Sequence, residues 1–411
     1  MNTKRVFILF CVLSLVLIFL VACDQLPPIH TITVTFGEGG SISPGTEWVF
    51  VEEGGSQTFS ITPHACYQIE QVLVDGVSQG AIDNYTFSDV QQDHTIQASF
   101  LLISGVHNTT TNTVYTSIQA AIDASSPGDT IIACPDTYYE NIVFKGKSIT
   151  VQSVDPEDPD IVAATIIDGN QAGTVVRFSS MDDSTLAGFT IQNGYSGGTP
   201  TVDAGGGIVI TNNSTSIIEY NKIINNTADY GGGFFLTHNS SPTIRYNIIK
   251  DNQAIQSGGG IDMNYCHPTI EYNEFINNTA YSSGGIRVLN GTAVIRGNTM
   301  AYNAAETYGG AIGVQNSEVT LEDNIFNHNK AYGFGGAVLV HEDSYLLPDD
   351  VRLTGWGSPG GTYYRENIPK DDSRPSEPVN GPAGNIFTGN RHDTPLKYTE
   401  GAHVYFFYYL Y

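Results

Sequence analysis

Four side chains of this 411-residue chain stand at spacings that could assemble acid–base chemistry: His238, Asp262, Tyr265 and Arg287. Asp262 and Arg287 each occupy the second position of a short apolar phrase, IDM and IRV, that follows a run of glycines. If these phrases stack as neighbouring strands, the carboxylate and the guanidinium share one position. His238 ends the corresponding strand one coil earlier, and Tyr265 ends the Asp262 strand. A carboxylate and an imidazole so placed could do general acid–base work on a sugar. The competing reading is an ion pair beside a solvated histidine. No second carboxylate adjoins Asp262, which argues against two-carboxylate hydrolysis.

Arg245 and Arg296 are the other candidate bases, but their column runs Glu219, Arg245, Glu271, Arg296, Glu322. Signs alternate coil by coil, the pattern of a cross-strand ion-pair ladder worth about 0.2–1 kcal/mol per exposed pair. Tyr230, Tyr281, Tyr308 and Tyr332 precede or flank the glycine runs, where they either stack on sugars or pack a corner.

The elements that must position these residues are written in a repeat. Between Gly205 and Val340 a glycine run followed by a strand recurs six times (GGGIVI, GGGFFL, GGGIDM, GGIRV, GGAIGV, GGAVLV), 25–27 residues apart. A second phrase recurs between them: YNKIINNTA, YNIIKDNQA, YNEFINNTA, GNTMAYNAA, DNIFNHNKA. Such self-similarity predicts stacked coils, each burying its apolar face on its neighbours. Alternate apolar residues give a first strand (Ile208/Ile210 to Val338/Val340), a second (Ile218, Ile244, Ile270, Ile295, Leu321) and a third (Ile223, Ile249, Phe275, Met300, Phe326, then Phe387). Two asparagine columns, 221/247/273/298/324 and 226/252/278/303/329, are placed to hydrogen-bond from coil to coil. Ala228, Ala254, Ala280, Ala305 and Ala331 suit a tight corner.

Upstream, Ser117–Ile122 has helical apolar spacing closed by Pro127-Gly128, and TIIAC and NIVF read as buried strands. This opening resembles right-handed parallel β-helices of the pectin-lyase-like class, with the helix capping the open end of the stack. The resemblance implies an all-β solenoid over residues 104–411. Hydrolases of that class carry Gly-His-Gly and Arg-x-Lys phrases, and lyases Trp-x-Asp-His and Arg-x-Pro; none occurs here. The glycine runs with FINN, MAYN and FNHN also resemble the repeats of chlamydial polymorphic outer-membrane proteins, which are adhesins. Residues 341–383 interrupt the rhythm with Asp343, Asp349, Asp350, Trp356, Tyr363, Tyr364, Asp371 and Asp372, an excursion of a length that is usually functional or disordered.

Residues 1–22 read as a secretory signal, and Leu20-Val21-Ala22-Cys23 resembles a bacterial lipobox. That resemblance implies cleavage before Cys23, its acylation, and a tether over 23–29. It places the protein outside the cytoplasm on a lipid anchor, with the outer membrane or cell surface favoured and Asp24 consistent with inner-membrane retention. Residues 30–103 alternate with period 2 between Gly, Pro and Asp turns, predicting a small all-β unit with Val34, Phe59, Ile61, Ile69, Val72, Val74, Phe87 and Ile96 inward. Its phrases, such as HTITVTFGEGGSISP and YQIEQVLVDG, resemble the internalin-type B-repeat, a surface spacer. His64, Cys66 and His94 lack metal-ligand spacing. With Cys23 acylated, Cys66, Cys134 and Cys266 remain, an odd count that predicts three packed thiols.

Formal net charge is −25 with only 14% charged residues, which opposes binding to nucleic acid or anionic lipid. The expected protein is a monomeric, lipid-anchored, non-catalytic scaffold that takes a glycan or cell-surface partner through His238, Asp262, Tyr265, Arg287 and Trp356. It needs no cofactor. The alternative is a polysaccharide lyase or glycoside hydrolase acting on acidic polymer through Asp262, His238 and Arg287, with Ca²⁺ held by acidic residues.

Overall fold

The computed structural model describes residues 27–197, 205–333 and 335–340, together with strand segments at 345–347, 379–380, 386–388, 391–392 and 405–406. Residues 1–26, Cys23 among them, and Trp356 lie outside the described residues. Two compact units divide at residues 103 and 104.

In the first unit, a five-stranded sheet and a three-stranded sheet enclose one core. Seven of the eight expected inward residues are buried, and Ile69 packs against the cluster from its margin. His94 Nδ1 lies 2.7 Å from the Asp75 carboxylate.

The second unit is a right-handed parallel β-helix. From Tyr195 onward the coils contribute strands to four sheets, parallel from coil to coil: Ile208–Ile210, Ile217–Glu219, Lys222–Ile224 and Thr227–Tyr230 represent one coil. Three strands per coil were expected; the alanine column forms a fourth. Ala228, Ala254, Ala280, Ala305 and Ala331 pair in register along it, with side chains almost wholly buried. The first three strands supply the narrow core, where Ile218, Ile244, Ile270 and Ile295 are fully buried, as are Ile223, Ile249, Phe275, Met300 and Phe326.

The cap helix spans Ile118–Ala124 and buries Ile118, Ala121 and Ile122. Ser117 caps it, its hydroxyl accepting the Ala120 N–H at 3.1 Å, while the Glu140 carboxylate takes the Ile118 and Gln119 N–H groups. These bonds satisfy donors a helix start leaves open. A second short helix, Pro159–Ala164, is capped by Asp158; the Asp-Pro start is its sequence signal.

The asparagine columns hold the coils together. Asn252 shows the pattern: its Oδ1 accepts the Asn226 backbone N–H at 3.1 Å and the Asn226 Nδ2 at 3.0 Å. Its own Nδ2 donates back to Ile223 O at 2.9 Å and forward to Asn278 Oδ1 at 3.0 Å. The 221 column repeats this through Asn247, Asn273 and Asn298, and all are buried. A buried carboxamide is tolerated because its donors and its oxygen are all used.

At the far end the stack holds its register further than expected. Tyr345–Leu347 pairs in parallel with Glu318–Thr320, and Ile386–Thr388 with Ile325–Asn327, so Phe387 continues the Phe326 column. Of the expected 341–383 excursion, only the strand segments at 345–347 and 379–380 lie among the described residues. Tyr405–Phe406 pairs antiparallel with Leu339–Val340.

The glycines allow the coils to approach. Gly258 has φ +67°, which turns the corner, and Gly259 lies so close to the next coil that a β-carbon would stand 2.5 Å from Gly284 O and from Thr279 O. Both contacts are backbone and cannot yield. Gly259→Ala is expected to destabilise the solenoid by about 1–3 kcal/mol or more, while Gly37→Ala, in open space, changes stability by less than about 0.5 kcal/mol. Denaturant titration followed by far-ultraviolet circular dichroism measures both.

Candidate functional site

Asp262 lies in the middle of the sheet that follows the glycines, within a column that reads Arg177, Val209, Phe235, Asp262, Arg287, Gly313, Leu339. This position points away from the main core, yet it is not open to solvent as the alternation implies. Asp262 is 1% exposed, and Val209, Phe235 and Leu339 are buried too. The corner before each strand folds back over the column: a β-carbon on Gly258 would lie 2.6 Å from Asp262 Cβ, and one on Gly335 2.9 Å from Leu339 Cβ. The same fold-back delivers Ser257, whose hydroxyl donates to Asp262 Oδ2. The two lie five positions apart in sequence, and the left-handed glycine between them brings them together.

Arg287 completes the surroundings, its Nη1 3.4 and 3.3 Å from the two carboxylate oxygens. Burial pushes the Asp262 carboxyl above the ordinary carboxylate range, with the Arg287 charge and the Ser257 bond opposing it. The pair thus stands as an ion pair under a roof.

His238 and Tyr265 do not join it. Phe235 is level with Asp262, so His238 stands three strand positions on, roughly 10 Å along the strand, and so does Tyr265. Both have left-handed backbone, φ +55°, at the corner beyond the strand, and both are exposed. His238 Nδ1 is 3.1 Å from Thr211 Oγ1 of the preceding coil. Of the four residues expected to converge, only Asp262 and Arg287 meet. Trp356 lies outside the described residues.

The Arg245 and Arg296 column is a ladder of discrete pairs. Arg245 Nε donates to Glu219 Oε2 at 2.7 Å, and Arg296 Nε to Glu271 Oε2 at 2.7 Å, each arginine taking the glutamate of the preceding coil. These bonds hold both guanidinium groups firmly charged, and neither arginine serves as a base.

Two aromatic features line the outside. Tyr220, Tyr246 and Tyr272, the tyrosines of the repeated Tyr-Asn phrase, stack ring on ring at 5.1 and 5.4 Å with interplanar angles of 14° and 9°. All three take left-handed backbone, and at the same turn of the next coil Gly297 does so without a side chain. The second feature flanks the alanine sheet: Tyr195, Tyr230, Tyr281, Tyr308 and Tyr332 are exposed rather than packed into a corner, with Ile255 between them. Lys330 Nζ stands 3.8 Å from the Tyr332 ring centre. From the coil of Tyr230 to that of Tyr332 this edge runs for about 19 Å, at 4.8 Å per strand.

The cysteines depart from the expected three thiols. Cys66 and Cys134 are disulfide-bonded, and Cys266 is the free cysteine among the described residues. Parity counting fails because Cys266 is core: fully buried, its thiol is pushed up to about 12 by desolvation and is inert.

Residues 142–300 match the family model described as right handed beta helix region. No curated protein and no solved structure matches the chain.

The raised pKa of Asp262 has a testable sign. Its folded value lies above its unfolded one, so the folded protein retains a proton that the unfolded chain has released. Stability owed to this group therefore falls as pH rises from the ordinary value of 3.8 through the raised one. Asp262→Asn removes the titration. The unfolding free energy of wild type minus that of the variant is expected to decline across this window and then level off; a difference that grows with pH would contradict the assignment.

Proposed function

We propose that this chain is a lipid-anchored envelope protein whose solenoid is a non-catalytic scaffold, presenting its tyrosine edge to a glycan or another cell-surface partner. The observation that carries this reading is the roofed Asp262–Arg287 pair. A general acid or base must reach the substrate proton directly or through one water. Asp262 is enclosed by Ser257, Gly258 and Arg287, and His238 sits roughly 10 Å along the strand. This geometry argues against the lyase and hydrolase reading, whose carboxylate is enclosed and whose imidazole stands apart from it.

The tyrosine edge supports a binding role. Tyrosine offers an apolar ring face with a polar tip, suited to the alternating CH and OH surfaces of a sugar. Asp229 and Glu306 flank the edge and the whole chain is acidic, so a neutral glycan fits better than a polyanion. The lipobox at Cys23 supports an envelope location, as do the disulfide-bonded Cys66 and Cys134, since such bonds persist in oxidising compartments. The internalin-like reading of the first unit makes it the spacer between anchor and solenoid.

Two measurements test this reading. Purified protein is expected to leave polygalacturonate and alginate intact with Ca²⁺ present; new unsaturated ends absorbing in the ultraviolet would overturn it. On a glycan array, the Tyr281→Ala/Tyr332→Ala variant is expected to lose tenfold or more of the wild-type signal, on the order of 2 kcal/mol for aromatic anchors. An unchanged signal would move the binding surface elsewhere.

A further inference from the structure

The first unit carries an exposed apolar face that its fold does not use. Ile29 is 65% exposed, Phe50 68% and Trp48 54%. They share one side of the five-stranded sheet, because Thr31 pairs with Phe50, Thr33 with Trp48 and Ile29 with Glu52 in the antiparallel register of the edge strand. Residues paired or two apart along such strands point the same way. The opposite side of the same strands holds the core residues Ile32, Val34 and Val51. Thr31, Thr33 and Thr95 lie next to the three apolar side chains on this face, and Glu52, paired with Ile29, sets one carboxylate on it.

The position of this face in the chain identifies its occupant. Ile29 opens the first strand, and the Glu53 N–H donates to Pro28 O at 2.7 Å, which fastens the tether to the same sheet edge. From Cys23 to Ile29 is six residues, at most about 22 Å of extended chain. Once Cys23 is acylated, that reach keeps Ile29 and its neighbours close to the lipid headgroups. Tryptophan and other aromatic side chains favour that interfacial layer, where one end of the ring is apolar and the other wet.

We propose that Ile29, Trp48 and Phe50 form a membrane seat, which lays the edge of the first unit on the bilayer beside its anchor. The proposal rests on the lipoprotein reading of Cys23. Glu52 and Glu53, both exposed at the same edge, select zwitterionic over anionic lipid. The seat turns a flexible tether into an oriented attachment with two points of contact.

The chain holds two tryptophans, so Trp356→Phe leaves Trp48 as a sole reporter in the full-length lipoprotein. After reconstitution into phosphatidylcholine vesicles, Trp48 emission is expected to shift to the blue. Lipids brominated high on the acyl chain should quench it more than lipids brominated near the terminal methyl. Phe50→Ser should reduce that quenching at least twofold. With acylation of Cys23 confirmed by mass, an unquenched Trp48 would overturn the seat and leave the anchor standing. An unmodified Cys23 would remove the anchor reading and the seat with it. Emission that responds to a neutral soluble polysaccharide, and not to brominated lipid, would assign the face to sugar and overturn the proposal.

Discussion

The solenoid depends on a buried amide that must find its copy one coil away. Within each ladder, an interior asparagine donates to the next Asn Oδ1 and back to the previous coil's backbone, and its Oδ1 takes both a backbone and a side-chain N–H. Each such bond contributes roughly 1 kcal/mol net, but a missing partner would leave buried polar groups costing about 1–3 kcal/mol each. That penalty makes the coil length nearly invariant. It also explains why the apolar columns, which tolerate Ile, Phe and Met in exchange, are less strict than the asparagines.

Several residues that look chemically able are held by the same stacking. A carboxylate on a strand meets the same position of the next coil at about 4.8 Å, so an opposite charge there is favoured and a like one repelled. Glu219 with Arg245, Glu271 with Arg296 and Asp262 with Arg287 all follow that preference. What remains free to vary is the set of left-handed corners and the margin of the alanine sheet. Those places carry the exposed tyrosines.

The architecture was legible in the residues because its determinants are periodic. Ile218 predicts Ile244, Asn226 predicts Asn252, and Ser117 with Ile118, Ala121 and Ile122 spells out the cap. The fourth sheet was less visible, since alanine carries no strand signal of its own. The candidate site was misread for a physical reason: period 2 tells which way Asp262 points but not what lies over it. The roof is backbone, made by Gly258 in a left-handed turn, and Ser257 approaches through that turn. The Tyr220, Tyr246 and Tyr272 stack could have been found from the repeated Tyr-Asn phrase. Trp48 and Phe50 could not, because their exposure follows from strand order within the small unit, which alternation leaves open.

Hydrogen exchange of an Asn273→Leu variant tests most directly whether the ladders bind the coils into one cooperative stack. The change removes the acceptor of the Asn247 N–H and Nδ2 on one side and the donor to Asn298 Oδ1 on the other. If the ladder couples the coils, peptides spanning 243–252 and 294–303 should lose protection together with 269–278. Each loss should be tenfold or more, since one unsatisfied group costs about 1–3 kcal/mol and 1.4 kcal/mol is tenfold. Protection lost only in the substituted coil would contradict the account.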